Sequence, residues 1–349
     1  MKKESMKKSL APVGIMLLAV AVFVMVILDM TGEKTQQAVT KSTVAMGTVI
    51  SEKLYGAKDS EEAFEIAENT ITELENKISM RIDTSVISSL NKASFADCDA
   101  ELAEVLEVCN KVYEASDGSF DVTTGKITSL WKIGEEGAAV PSDKALRSAL
   151  SYVDGSKLKI VNGKATIDKG QLVDLGAVGK GLACDKVRSA LENAKVEAAV
   201  ISIGGSVLLY GNNPNAENWS VAIRDPEGES TDYIGKLSLT ECAVSTSGDY
   251  ERVLEVGGKK YHHILDPKTG YPADSGLMSV TVVCDSGLMS DALSTAAFIL
   301  GTDKGIRLLE KFDAEGVFVD KNKNIFVTDG LKDKFTLTDS DYSVSGDTQ

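Results

Sequence analysis

Imidazole is nearly absent from this chain: among 349 residues only His262 and His263 carry it, side by side. A scaffold that uses histidine nowhere else, yet sets two at the junction of an apolar run and a turn, has a use for one of them in chemistry. A surface pair beside a tight turn is the plain alternative. Cysteine is scarce too. Cys98, Cys109, Cys184, Cys242 and Cys284 are odd in number, widely spaced and free of any Cys-x-x-Cys pair. That pattern fits neither a disulfide framework nor a thiolate metal site, and most of the five read as small buried hydrophobes. Basic clusters are missing beyond the N-terminus and the formal net charge is −15. Both argue against nucleic acid as a partner, because its phosphates require a basic surface. An anionic ligand must instead be held by glycine amides, a helix N-terminus, a few cations or a metal. There is no internal repeat. The 43% apolar and 26% charged residues are those of a globular protein, long enough for one large domain or two smaller ones.

The first thirty residues stand apart. Lys2, Lys3, Lys7 and Lys8 precede an uncharged run from Leu10 to Leu28, which ends at Asp29. As a helix that run would span about 28 Å, close to the thickness of a hydrocarbon core. A cleavable signal peptide is the rival, but no clear small-residue cleavage site precedes Thr31. No cysteine precedes Cys98, which excludes a lipid-modified cysteine after the run. The expectation is an uncleaved membrane anchor over residues 1–30 and a linker over 31–42. A domain over 43–337 follows, then a polar tail over 338–349 that is disordered from about Ser340. With the lysines on the cytoplasmic side, that domain faces outward from the cell membrane.

Within the domain, Thr43–Leu54 reads as a first strand containing Met46-Gly47-Thr48. Asp59 and Ser60 cap a helix whose Phe64, Ala67, Ile71, Leu74 and Ile78 fall on one face. A second helix over Asp99 to Glu114 buries Leu102, Val105, Leu106, Cys109 and Val112; a shorter one runs from Ser142 to Tyr152. Asn162-Gly163 closes a hairpin. Leu172-Val173-Asp174-Leu175 reads as a short strand, followed by a glycine-rich passage and a helix to Ala194. Six strands then come in close order, at 198–203, 207–210, 219–223, 234–239, 253–256 and 261–265. A strand at Val280–Cys284, helices at 290–300 and 304–312, and a hairpin at 317–328 complete the chain. Strands and helices mix without strict alternation, which predicts an α+β fold with largely antiparallel sheets.

Three pieces carry chemistry. Asp174 to Gly181 passes through Gly176, Gly179 and Gly181 into a helix, so backbone can approach a ligand and exposed N–H groups can face phosphate. Close helix–sheet packing would equally require those glycines. Asp291 and Thr295, four apart on a helix, face one side and offer hard oxygens suited to Mg²⁺, or else form a cap. Ile203-Gly204-Gly205-Ser206 and Ser245 to Tyr250 read as strand-end loops able to approach a ligand, or by default as ordinary turns.

Met46-Gly47-Thr48, Ser119-Phe120-Asp121, Asp174 to Gly181, Gly204-Gly205, Thr246 to Tyr250, His263 to Pro272 and Asp291 to Ala296 occur in this order. Together they resemble the ApbE family of FAD:protein FMN transferases over about Thr43 to Thr328. The resemblance implies two subdomains flanking an FAD cleft. It also implies transfer of FMN from FAD to a serine or threonine hydroxyl of an acceptor flavoprotein, with a phosphoester formed and AMP released. By similarity Mg²⁺ is held by Asp291, Thr295 and the backbone carbonyl of Ala177. Met46, Phe120, Asp121, Asp174, Lys180, Ser247, His263 and Ile264, with Arg224 as an addition, match positions that contact FAD. His263 is the catalytic candidate, for activating the hydroxyl or orienting the phosphate; His262 is structural or peripheral. Ser206, Val122 and Gly179 depart from the usual family residues. The acceptor signature Asp-Gly-x-Ser/Thr-Gly-Ala-Ser/Thr is absent here, so the acceptor is another protein, by analogy a subunit of Rnf-type or sodium-pumping NADH:quinone oxidoreductase complexes or an extracellular electron carrier. The rival readings are an FAD pyrophosphatase and a non-catalytic FAD-binding protein.

Overall fold

Met46 and Gly47 both take positive φ, 52° and 66°. Two consecutive residues of that kind make a tight hairpin turn. The stretch expected as one strand therefore folds back on itself, as Val39–Ala45 against Thr48–Tyr55 with Ala45 opposite Thr48. The computed structural model describes residues 36–345, so the anchor expected over 1–30 lies outside the described residues. Among the described residues no helix is long and apolar enough to cross a membrane.

That hairpin forms one edge of a nine-stranded sheet within the described residues. Thr48–Tyr55 pairs with Ala198–Ile203, and the order continues through Ser206–Tyr210, Cys242–Gly248, Leu277–Cys284, Glu315–Asp320 and Asn324–Val327. These pairings are antiparallel; Ser343–Val344 closes the far edge in parallel. The segment expected to be disordered from Ser340 is thus docked as far as Val344. Tyr342 is buried there and its hydroxyl donates to Asp225 Oδ1 at 2.6 Å.

One face of the sheet packs against helices Ser60–Ile78, Ala100–Ala115, Gly179–Asn193 and Gly287–Leu300. The helix faces predicted from periodicity are the buried ones, and Asp59, Asp99 and Ser142 each cap a helix through the side chain. The other face carries a three-stranded sheet of Trp219–Arg224, Tyr233–Leu239 and Phe335–Leu337, whose apolar residues make a second core. Trp131, Ile127, Leu146 and Leu265 centre a third, smaller cluster. This is the mixed α+β architecture expected.

Two further segments differ from expectation. Ser245 to Gly248 lies in a central strand, Cys242–Gly248, although its polar residues resemble a loop. It is held there by hydroxyl pairs: Ser245 with Ser290 at 2.7 Å, Ser247 with Ser294 at 2.9 Å and Thr246 with Thr281 at 2.9 Å. Leu172 to Leu175 joins no sheet strand; a single bridge links Leu172 to Thr124. The Asn91 amide satisfies Val173 at both ends, accepting from its N–H at 2.7 Å and donating to its carbonyl at 2.9 Å. Asn91 belongs to helix Val86–Ala93, which sequence periodicity did not reveal.

Helices Gly179–Asn193 and Gly287–Leu300 cross at their glycines. A Cβ on Gly181 would lie 1.9 Å from the Gly287 carbonyl oxygen, and one on Gly287 2.2 Å from that of Gly181. Asp185 secures the crossing by accepting from the Gly287 and Leu288 N–H groups at 2.6 and 2.9 Å. No side chain fits in this contact without moving backbone. Gly181→Ala or Gly287→Ala should lower unfolding free energy by about 1–3 kcal/mol or more, the range for overpacking a core. Urea denaturation at neutral pH measures it.

Candidate active site

The glycine crossing places the first turns of the two helices against each other, and a cleft opens at that junction. Its empty space, open mouth included, comes to about 1120 Å³. Asp291 is 4% exposed in its wall. The carboxylate accepts from the Gly181 N–H at 2.8 Å through Oδ2 and from the Ser206 hydroxyl at 3.0 Å through Oδ1. Lys180 Nζ stands 3.8 Å away. Thr295, one turn further along, lies on the same wall, its Oγ1 3.3 Å from Ser247 Oγ. Gly176 and Ala177 bring the backbone to the cleft just ahead of the helix start.

His263 enters from another direction, just past the hairpin strand Lys259–His262. Its backbone N–H donates to the Arg252 carbonyl at 3.1 Å, and its Nδ1 is buried with no hydrogen-bond partner among the described residues. Burial, then the positive charges of Arg252 and Lys180, push its pKa down to about 3. The ring is therefore neutral at physiological pH, able to accept a proton, and an anion bound between those cations would raise its basicity. His262 points elsewhere: Nε2 lies 2.9 Å from the Ala273 carbonyl and the ring meets Phe298 edge-on at 5.5 Å. Ile264 is buried, and its carbonyl accepts from the Ala273 N–H at 3.0 Å.

The facing wall comes from the loop Ser119 to Thr124 and the segment around Asp174. Phe120 is 2% exposed. Asp121 holds its own loop, accepting from the Thr123 N–H and hydroxyl, both at 2.7 Å, and from the Gly155 N–H at 2.9 Å. Burial raises its pKa. Asp174 accepts from the Thr128 hydroxyl at 2.8 Å and the Gly176 N–H at 2.9 Å.

Of the residues singled out in the sequence, Phe120, Asp121, Asp174, Ala177, Lys180, Ser247, His263, Ile264, Asp291 and Thr295 line this one cleft. Met46 and Arg224 do not. Met46 caps the helix start from outside, its Cε 3.2 Å from where a Gly179 Cβ would be, while Arg224 lines a neighbouring cavity. Sequence reasoning missed Arg81 and Glu135, which form an ion pair at the cleft. It also missed Trp131, whose Nε1 donates to the Gly270 carbonyl at 2.7 Å, and Glu251 and Arg252. The last two directly follow the stretch singled out at Ser245 to Tyr250, so extending it by one turn would have found them. Arg81 sits in an irregular turn with no periodic signal.

Among the described residues no group of three or more His, Cys, Asp or Glu side chains is placed to hold a metal ion. The Asp291 carboxylate, Thr295 hydroxyl and Ala177 carbonyl form a sparse, hard-oxygen set, which suits a Mg²⁺ that keeps water or phosphate oxygens in its other positions. Charge agrees with that fit. Asp121, Asp174, Glu251 and Asp291 face the cleft against Lys180 and Arg252, Arg81 being paired with Glu135.

The ApbE family model matches residues 46–318. The FAD:protein FMN transferase of Treponema pallidum is 31% identical over 324 residues, covering 86% of this chain and 90% of that protein. The Klebsiella pneumoniae protein of the same name is 30% identical over 312 residues, covering 87% and 96%. Among solved structures, the ApbE protein of Thermotoga maritima superposes with a TM-score of 0.78 at 29% identity, covering 84% of this chain and 98% of that one. The flavin transferase ApbE from Vibrio cholerae gives 0.74 at 26% identity, covering 87% and 97%.

The neutral imidazole has a consequence for stability. Unfolded histidine titrates near pH 6.5, so below that pH the unfolded chain binds a proton that the folded site, with its pKa of about 3, refuses. Folding stability from this residue is complete above pH 6.5 and falls as the pH drops toward 3. His263→Asn should therefore lose less stability than wild type between about pH 7.5 and about pH 5, as read from paired urea denaturation curves.

Proposed function

The chain belongs to the ApbE family, and from that premise we propose that it is an FAD:protein FMN transferase. FAD occupies the cleft. A serine or threonine hydroxyl of an acceptor flavoprotein attacks the FMN-side phosphorus of the pyrophosphate, a phosphoester forms and AMP leaves with the displaced oxygen. The observation that carries this reading is the convergence of three independent segments on one cleft: the helix start at Lys180, the oxygens of Asp291 and Thr295, and the neutral ring of His263.

Each group has work suited to its chemistry. His263, uncharged and with an unpartnered Nδ1, takes the proton of the attacking hydroxyl; imidazole is the side chain suited to this near neutral pH. Lys180 faces the phosphates, whereas the Gly176, Gly179 and Gly181 amides are already committed to Asp174, the Leu175 carbonyl and Asp291. Phe120, Asp121, Asp174 and Ile264 shape the nucleoside and flavin walls, with Ser247 beside Thr295 and Met46 above the helix start. Asp291, Thr295 and the Ala177 carbonyl would hold Mg²⁺, which when bound supplies positive charge against the pyrophosphate and the departing AMP. Asp291 is ready for that role because Gly181 and Ser206 fix its orientation.

The acceptor carries a signature of the Asp-Gly-x-Ser/Thr-Gly-Ala-Ser/Thr type, as in Rnf-type or sodium-pumping NADH:quinone oxidoreductase subunits or extracellular electron carriers. The anchor over residues 1–30 would keep the catalytic domain at the outer face of the cell membrane, where such acceptors are exposed.

Purified protein, FAD, Mg²⁺ and a signature-bearing acceptor domain should yield an acceptor heavier by FMN in mass spectrometry, and EDTA should abolish the gain. His263→Ala should slow transfer by about 10²–10⁴-fold, the usual contribution of a general base. Free AMP without acceptor would favour the pyrophosphatase reading. Tight FAD binding with no turnover, indifferent to His263→Ala, would favour the storage reading.

A further inference from the structure

A second cavity lies on the opposite face of the main sheet, between that sheet and strand Trp219–Arg224. It meets the catalytic cleft at the sheet's end, where Thr246 and Glu251 line both. Gly205 is packed closely at the junction: a Cβ there would stand 2.7 Å from the Thr246 carbonyl oxygen and 2.9 Å from Glu251 Oε1. The depth of the cavity is apolar, with Val207, Val221, Ile223 and Val244 in its walls.

Its rim holds an unused cation. The Arg224 guanidinium lies over the Tyr250 ring at 4.7 Å, makes no ion pair among the described residues, and has a buried Nε without a hydrogen-bond partner. A buried donor of this kind is stabilised by an anionic acceptor. The anion is not a free phosphate or pyrophosphate, because Asp232 and Glu251 line the same cavity and two carboxylates around one cation repel a multiply charged group. A peptide bearing one acidic side chain satisfies all three. Its carboxylate pairs with Arg224, its backbone N–H groups face the two acids, and its apolar side chains enter the apolar depth.

We propose that this second cavity is the docking subsite for the acceptor polypeptide. An acidic residue near the modified hydroxyl is bound by Arg224, and the chain continues to the catalytic cleft where Thr246 and Glu251 line both cavities. The proposal rests on the transferase reading and deepens it. Arg224 is then a specificity residue for the protein substrate.

The test measures flavinylation kinetics at saturating FAD with a signature-bearing acceptor domain, in wild type and Arg224→Met, each with acceptor acidic residues near the hydroxyl intact or changed to amides. Arg224→Met should raise acceptor KM about tenfold or more with kcat within about threefold, as expected for loss of a buried charge pair. Removing the acceptor's carboxylate should do the same in wild type and add nothing in Arg224→Met. Thr231→Trp, on the exposed loop at the cavity mouth, provides a variant that leaves the cores alone. It should raise acceptor KM while FAD affinity, titrated by flavin fluorescence without acceptor, stays within about twofold. Additive losses, or weakened FAD binding with acceptor KM unchanged, would overturn the proposal while leaving the transferase reading intact. Wild-type protein that transfers no FMN to the acceptor would overturn both.

Discussion

The contact of Gly181 with Gly287 is the constraint on which the site depends. Two helices touch backbone to backbone, at a separation that neither would tolerate with a methyl group between them. Only at that distance can the Asp291 carboxylate receive the Gly181 N–H. A carboxylate buried to this degree must be satisfied by donors, and a helix-start amide and a serine hydroxyl provide them. Asp185, one turn along, fastens the same pair of helices by capping the second. Asp291 and Thr295 are therefore presented from a helix fixed in the framework.

Around that fixed point the cleft gathers charges from segments distant in sequence. Burial, with Arg252 and Lys180 beside it, holds His263 neutral. Burial raises Glu251, while Lys180 and Arg252 pull it back. Such a site is electrostatically unfinished, with acids and cations close but only partly paired, and a ligand carrying both phosphate and metal would complete it. The second cavity shows the same logic on a smaller scale, with Arg224 stacked on an aromatic ring and lacking a counter-ion among the described residues.

Much of this was legible from the residues. Helices with a regular apolar stripe and a side-chain cap, such as Ser60–Ile78, declare themselves because one face must be buried and the first N–H groups must be satisfied. The grouping of His263, Asp291 and the glycine passage was legible only through resemblance, since no local pattern says that three distant segments meet. The strand Cys242–Gly248 was hidden because its hydroxyls find partners in the fold, so polarity there does not mean exposure. The break at Met46-Gly47 was hidden because methionine rarely adopts positive φ. Leu172 to Leu175 looks like a strand, but Val173 is satisfied by an asparagine from a helix too short to show periodicity, and Leu172 and Asp174 by the Gly125 N–H and the Val122 carbonyl. Arg224 was assigned to the flavin by likeness of position, whereas its neighbours place it around the corner of the sheet.

The pairing of Thr48–Tyr55 with Ala198–Ile203 joins strands that lie far apart along the chain. Everything between them, including one whole wall of the cleft, is enclosed as an insertion within the sheet. During synthesis the first hairpin must wait until residue 203 has emerged before its inner edge is covered. Until strand Ala198–Ile203 has been made, that edge stands unpaired and open to other chains.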